Sequence, residues 1–191
     1  MTTATTEQVT NGVNVTALRQ TIEAIKEQPG LGKGRFRAVN QWVDGAHNRA
    51  QIKGFYVAGK EDDDRTTAHT HDLDEPPVLL GNDVGANPVE YALSALSGCL
   101  TTSLIYHAAA RGIRINRVES QLEGELDLNG FLGLDPAVRN GFANIRVTFK
   151  VDADAPRQQV EELVEIAQQR SPVFDIVSNP VPVTVQLADE D

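Results

Sequence analysis

The chain contains one cysteine, Cys99, with Ser97 and Gly98 before it. A thiolate at that position would be a nucleophile and a redox centre. A cysteine in an Ala/Leu-rich segment also serves as a small buried hydrophobe. The two readings differ in what surrounds the sulfur, because the thiolate needs a positive charge nearby. The field of a helix N-terminus fades within the first turn. Cys99 lies about three turns beyond Pro88, where a helix would begin, so a cation from elsewhere in the fold has to act. Gly98 costs about 1 kcal/mol relative to alanine inside a helix, and such a residue marks a close backbone approach or a pocket wall.

The histidines offer a second chemistry. His69 and His71 are two residues apart, on one face of any strand, and with His47 they could in principle ligate zinc or copper. The adjacent Asp62-Asp63-Asp64 run favours an exposed polar edge and a solvated loop, and no metal or cofactor is expected. His107 follows Cys99 by eight residues, about 80° round and about 12 Å along one helix, so contact with the thiol is not expected. Ser103 and Tyr106 fall closer to the face of Cys99 and read as core or pocket wall.

These side chains have to be positioned by recognisable elements. Val13, Val15, Leu18, Ile22 and Ile25 recur at helical spacing, and Pro29-Gly30 stops that helix. Residues 1–12 are Thr-rich and polar, and read as a frayed tail. Residues 35–43 alternate as a half-buried strand. Asp44-Gly45 is a turn, and 50–58 is the returning strand. Residues 59–64 read as an exposed connection and 65–72 as a third strand. The loop 76–87 leads to Pro88–Arg111, a nearly charge-free run with Pro at the first helical position and Gly112 as its stop. A helix apolar on nearly every side is expected to be buried on nearly every side. Residues 113–128 and 143–151 alternate as strands around a loop at 129–141. Residues 154–169 form a helix with Val160, Leu163, Val164 and Ala167 on one face, and Val181–Leu187 reads as a closing strand. Hairpin-linked strands segregated between helices predict an α+β fold.

The 191 residues include 17 Lys and Arg against 27 Asp and Glu, a formal charge of −10. That balance disfavours phosphate-backbone binding and docking on anionic membranes, so neither nucleic acid nor membrane is an expected partner. No apolar run approaches a membrane span of about 20 residues. The first residues lack the basic start and apolar stretch of a secretory signal. A single cysteine excludes an intrachain disulfide framework, and the cytoplasm is the expected compartment.

The run from Leu80 to Leu100, with Asn87-Pro88, Glu90 and Cys99, resembles the central-helix motif of the OsmC/Ohr family. Arg170-Ser171-Pro172-Val173 resembles the family's second, Cys-Pro motif, and Asn179-Pro-Val-Pro-Val183 resembles the strand after it. The resemblance covers roughly residues 33–187, so 33–191 reads as an OsmC-like domain and 1–32 as a tail and extra helix. It implies antiparallel sheets packed around a long buried central helix, in an intertwined homodimer.

The family's best-studied members are thiol peroxidases that reduce organic hydroperoxides. One cysteine becomes a sulfenic acid, a second closes a disulfide, and an external dithiol reopens it. The resemblance places Cys99 at the peroxidatic position and Ser171 at the resolving one, where a hydroxyl cannot form a disulfide. Arg49 is the nearest match to the family's early-hairpin arginine. The family's glutamate position is Val89, and the adjacent Glu90 lies about half a turn away from Cys99. The implied function is a weak one-cysteine peroxidase, using an external thiol on a small hydrophobic hydroperoxide. The alternative is a non-catalytic small-molecule-binding or stress-associated dimer.

Overall fold

The computed structural model describes residues 7–62 and 64–188. Residues 1–6 of the polar tail and Asp63 of the acidic run lie outside the described residues. The chain divides into two compact units, residues 1–94 and 95–191.

The first unit opens on a small hairpin. Strands β1 (Val9–Thr10) and β2 (Val13–Asn14) pair across Asn11-Gly12, both with positive φ. This part of the tail is therefore not frayed. Helix α1 (Val15–Glu27) follows directly, capped by the Asn14 side chain, which accepts from the Ala17 N–H at 2.9 Å. Val15 is fully buried under this start.

The long strand expected at 35–43 is two strands in two sheets. Strand β3 (Arg35–Phe36) is separated from β4 (Val39–Asp44), and the return divides into β5 (His47–Ile52) and β6 (Phe55–Val57). The breaks face each other at 37–38 and 53–54. Gly54 has no side chain to pack on a sheet face, and Arg37 turns aside to grip Glu61 with two hydrogen bonds, at 2.8 and 2.9 Å. Strand β7 (Lys60–Glu61) pairs with β6, so 59–64 is not simply an exposed connection. Strand β8 (His69–Leu73) completes the order β4-β5-β8, and β3-β6-β7 forms the other sheet. Every pairing is antiparallel.

After β8, Asp74 is 1% exposed and its carboxylate accepts the backbone N–H groups of Glu75, Asn82 and Val84. Burial pushes its pKa up, but the three donors together outweigh that and hold it below the ordinary carboxylate value. This anion pins the loop that delivers the chain to the long helix. Asp74→Asn replaces one acceptor oxygen with a donor facing N–H groups, so a lower melting temperature is expected. Because the folded state favours the charged carboxylate, the wild-type advantage holds above the usual carboxylate range and fades as acid protonates Asp74. Melting curves of both proteins at pH 7 and pH 3 check this. An undiminished gap at pH 3 would contradict it.

Helix α2 (Pro88–Ala110) starts on a reciprocal cap. The Val89 N–H donates to Asn87 Oδ1 and the Asn87 N–H to Glu90 Oε2, each at 2.9 Å. It ends as expected, with Gly112 at φ 71. Its burial is narrower than its composition suggested. Within the chain only Leu96, Leu100, Leu104, Ala108 and Ala109 are buried, essentially one stripe, while Tyr106 is 49% exposed.

In the second unit, β9 (Ile115–Glu125) and β10 (Asn144–Ala153) form a long antiparallel pair with Val118 opposite Val151 and Leu122 opposite Val147. Between them lies the short helix α3 (Leu128–Phe131). Helix α4 (Arg157–Arg170) is followed, after a single residue, by α5 (Pro172–Ser178). Leu104, Ala108, Leu163 and Ala167 form a fully buried cluster, flanked by Phe149 and Val151 from the inward face of β10. The fold is thus α+β with antiparallel sheets, as the element pattern indicated.

One strand is missing. Residues 181–187 alternate in sequence but pair with no strand among the described residues. Val183, Val185 and Leu187 are 76%, 92% and 97% exposed. Alternation supplies a face for a sheet, but a strand exists only where a neighbour accepts its hydrogen bonds.

Candidate functional site

Cys99 is partly exposed and lines a cavity of about 400 Å³ in the second unit. Helix α2 contributes Gly98, Cys99, Thr102, Ser103, Tyr106 and His107, a run of more than two turns. The opposite wall is Arg170 and Pro172, the last residue of α4 and the first of α5. Two basic side chains line this cavity and no acid does.

Ser171 explains how that wall is built. It is 2% exposed, adopts an extended backbone, and its Oγ accepts the Phe174 N–H at 3.2 Å. It is the N-cap of α5, and Pro172 suits the first helical position. The one-residue junction reverses the chain and leaves Arg170 and Pro172 at the cavity. The hydroxyl at this position therefore has a structural task in addition to lacking redox chemistry.

His107 lines the same cavity as Cys99. The cavity extends along the helix, so two residues about 12 Å apart on one axis can border the same space. Burial, reinforced by the positive charges of Arg111 and Arg170, holds the His107 pKa below the ordinary value of 6.5. The imidazole is neutral at pH 7 and can accept a proton. The unfolded chain binds that proton more readily, so stability falls as pH drops through 6.5. His107→Gln should flatten that slope in denaturant titrations between pH 7 and pH 5. An unchanged slope would mean that His107 titrates alike in both states.

Arg49 sits in the first unit, opposite Asp72 in the β5–β8 register. Its Nε donates to Asp72 Oδ1 at 2.8 Å, and His47 Nε2 meets the same oxygen at 2.8 Å. These two partners, Arg49 foremost, hold the Asp72 carboxyl below its usual range. His71 stands edge-on to the Tyr91 ring, whose hydroxyl donates to the Asp72 carbonyl. His69 lies opposite Ile52. Among the described residues no three His, Cys, Asp or Glu side chains converge as a metal site. Glu90 is occupied by the helix cap.

Sequence reasoning missed Arg170 as a lining residue of the Cys99 cavity. Arg170 stood inside the motif around Ser171-Pro172, which was its only signal. His107 stands about two turns along the helix from Cys99, as its spacing indicated, and lines the far part of the same cavity.

Three solved structures share this architecture. An OsmC-like protein from Mycoplasma pneumoniae superposes with a TM-score of 0.58 at 16% identity, covering 76% of this chain and 89% of that one. A Legionella pneumophila protein described as an organic hydroperoxide resistance protein OsmC gives a TM-score of 0.51 at 16% identity, covering 76% of this chain and 91% of that one. An organic hydroperoxide resistance protein from Elizabethkingia anophelis gives 0.52 at 16% identity, covering 76% and 89%. At such identities the likeness establishes the fold. A comparison with curated proteins finds no match. The sequence pattern of the family described as OsmC-like protein matches residues 81–186, which take in the loop before α2, Cys99, the β9–β10 pair and the Arg170–Pro172 junction. More than half of the chain thus carries that pattern on the corresponding fold, and the chain belongs to the OsmC-like protein family.

Proposed function

We propose that this protein reduces organic hydroperoxides slowly, through Cys99 alone. The observation that carries this reading is the cavity that Cys99 lines together with Arg170 and His107. An inert buried thiol needs neither. The Legionella and Elizabethkingia proteins, described as organic hydroperoxide resistance proteins, support the same substrate class.

The thiol gives its proton to water as the sulfur attacks the distal peroxide oxygen. An S–O bond forms and the O–O bond breaks. The departing alkoxide takes a proton from water and leaves as an alcohol, while Arg170 at the cavity wall faces the charge that develops. Cys99 is then a sulfenic acid. Ser171 cannot condense with it, so an external thiol does, giving a mixed disulfide and water. A second external thiol then attacks the mixed disulfide, freeing the Cys99 thiol and leaving as an external disulfide. Slow rescue leaves the sulfenic acid open to over-oxidation, which keeps turnover low.

The test is to trap a Cys99 sulfenic acid with a 1,3-dione after one equivalent of cumene hydroperoxide. Arg170→Ala should slow its formation by about ten- to a hundredfold. Arg49→Ala measures the contribution of the arginine that the resemblance favoured, and we assign it the smaller effect. If no adduct forms, the alternative reading, a non-catalytic small-molecule-binding dimer, takes its place. The substitution of the resolving cysteine by a capping serine is the observation that favours that alternative.

The working unit in this reading is a homodimer. Phe36, Trp42, Leu80, Val185 and Leu187 are each more than 70% exposed, more apolar surface than isolated chains usually present to water. Sedimentation at micromolar concentration should give twice the 20.7 kDa chain mass. A single 20.7 kDa species would refute the dimer. We assign residues 33–191 to the OsmC-like domain and 1–32 to an addition. Among the described residues no helix is long and apolar enough to cross a membrane. We place the protein in the cytoplasm, where reducing thiols are supplied.

A further inference from the structure

A second cavity in the residue 95–191 unit shares no lining residue with the Cys99 cavity. Its volume is about 350 Å³, at the lower end of the range for small-molecule sites. Phe142, Ile145 and Val147 approach from one side and Phe174 and Val177 of α5 from another. Arg139 is its one charged lining residue. It has no ion-pair or hydrogen-bond partner among the described residues, and it is exposed at the rim. Most other arginines with a defined partner in this acidic chain pair with carboxylates, as Arg37, Arg49, Arg117, Arg146 and Arg157 do.

Two glycines hold the groove in shape. The Phe142 ring lies so close to Gly124 that a Cβ there would meet it at 2.6 Å. A Cβ on Gly130 would meet the Arg139 carbonyl oxygen at 2.4 Å. The loop between β9 and β10 is therefore packed down at the two residues that matter to the groove. Phe142 supplies its aromatic wall and Arg139 its cation.

We infer that this groove is a binding site for a small carboxylate with an apolar tail, its carboxylate on Arg139 and its tail between Phe142 and Phe174. A neutral apolar molecule would leave Arg139 unused. A dianion would place a second charge against phenyl and aliphatic walls, where it is costly. The net charge of −10 makes an isolated cation beside an apolar surface a selective feature for an anion.

The experiment is calorimetric titration of the full chain with decanoate and with 1-decanol. Wild type should bind decanoate saturably and in preference to decanol. Arg139→Gln should weaken decanoate by about tenfold or more, the loss expected for a hydrogen bond to a charged group, and should leave decanol unchanged. Arg139→Lys should retain part of the preference. Cys99→Ser should leave the binding intact, which separates this site from the peroxide chemistry. Equal decanoate binding by wild type and Arg139→Gln would overturn the proposal, as would loss of binding in Cys99→Ser. Absence of binding with a change of sedimentation in Arg139→Gln would also overturn it, and would assign the groove to a second copy of the chain.

Discussion

Cys99→Ser should abolish thiol-dependent consumption of an organic hydroperoxide, leaving only the rate of buffer and reductant. The chain has no other sulfur nucleophile except one methionine thioether, which cannot turn over through a mixed disulfide. Ser171→Cys should act in the opposite direction. The residues on either side of Ser171 share a cavity with Cys99, so a thiol at this junction is placed to capture the sulfenic acid as an intramolecular disulfide. That capture replaces a bimolecular step by a unimolecular one, and turnover with a dithiol should rise by at least about tenfold. The substitution removes the oxygen that accepts the Phe174 N–H, at a cost of about 1 kcal/mol for the lost cap. Non-reducing peptide mapping after mild oxidation checks the disulfide directly. If none forms, the two side chains point apart or their Cα atoms lie beyond about 7 Å, and the resolving assignment of residue 171 fails. Residual wild-type-like turnover in Cys99→Ser would remove the peroxidase reading altogether.

Leu104→Ala should be the most damaging single truncation in the second unit. Leu104 is fully buried and packs with Ala108, Leu163 and Ala167. Two of those neighbours are alanines, whose short side chains cannot swing into the space left behind. The loss should therefore fall at about 3–5 kcal/mol, the upper part of the range for such cavities. Against a total stability of roughly 5–15 kcal/mol, that is a large fraction. Thr148→Ala, on the exposed face of β10, should stay within about 0.5 kcal/mol. Urea titrations of both variants decide the matter. A loss under about 1 kcal/mol for Leu104→Ala would show that the cluster collapses around the gap.

The elements legible in the sequence are those whose information is local. Helix α2 begins where Asn87, Pro88 and Glu90 can satisfy its own first N–H groups and stops where Gly112 takes a positive φ, all within hydrogen-bonding reach along the chain. Strands β9 and β10 alternate cleanly because one face of each packs on a core while the other faces water. The motifs around Cys99 and Ser171 carried the family, since they combine unusual residues at fixed separations. Pairing partners are not local, and there the reading diverged. Residues 35–43 read as one strand, yet sheet membership changes at Arg37-Ala38 because the opposing strand breaks at Lys53-Gly54. Residues 181–187 alternate in sequence and form no strand among the described residues, for want of a neighbour to bond. The surroundings of Cys99 follow the same logic. Its position in α2 was readable from helical spacing, but its cavity closes with Arg170, and only the turn capped by Ser171 brings that guanidinium to the wall. Sequence alone determined which thiol is available and that no second one can resolve it. Tertiary structure decided which charged residues line its cavity, because a charge acts through space and its distance along the chain is immaterial.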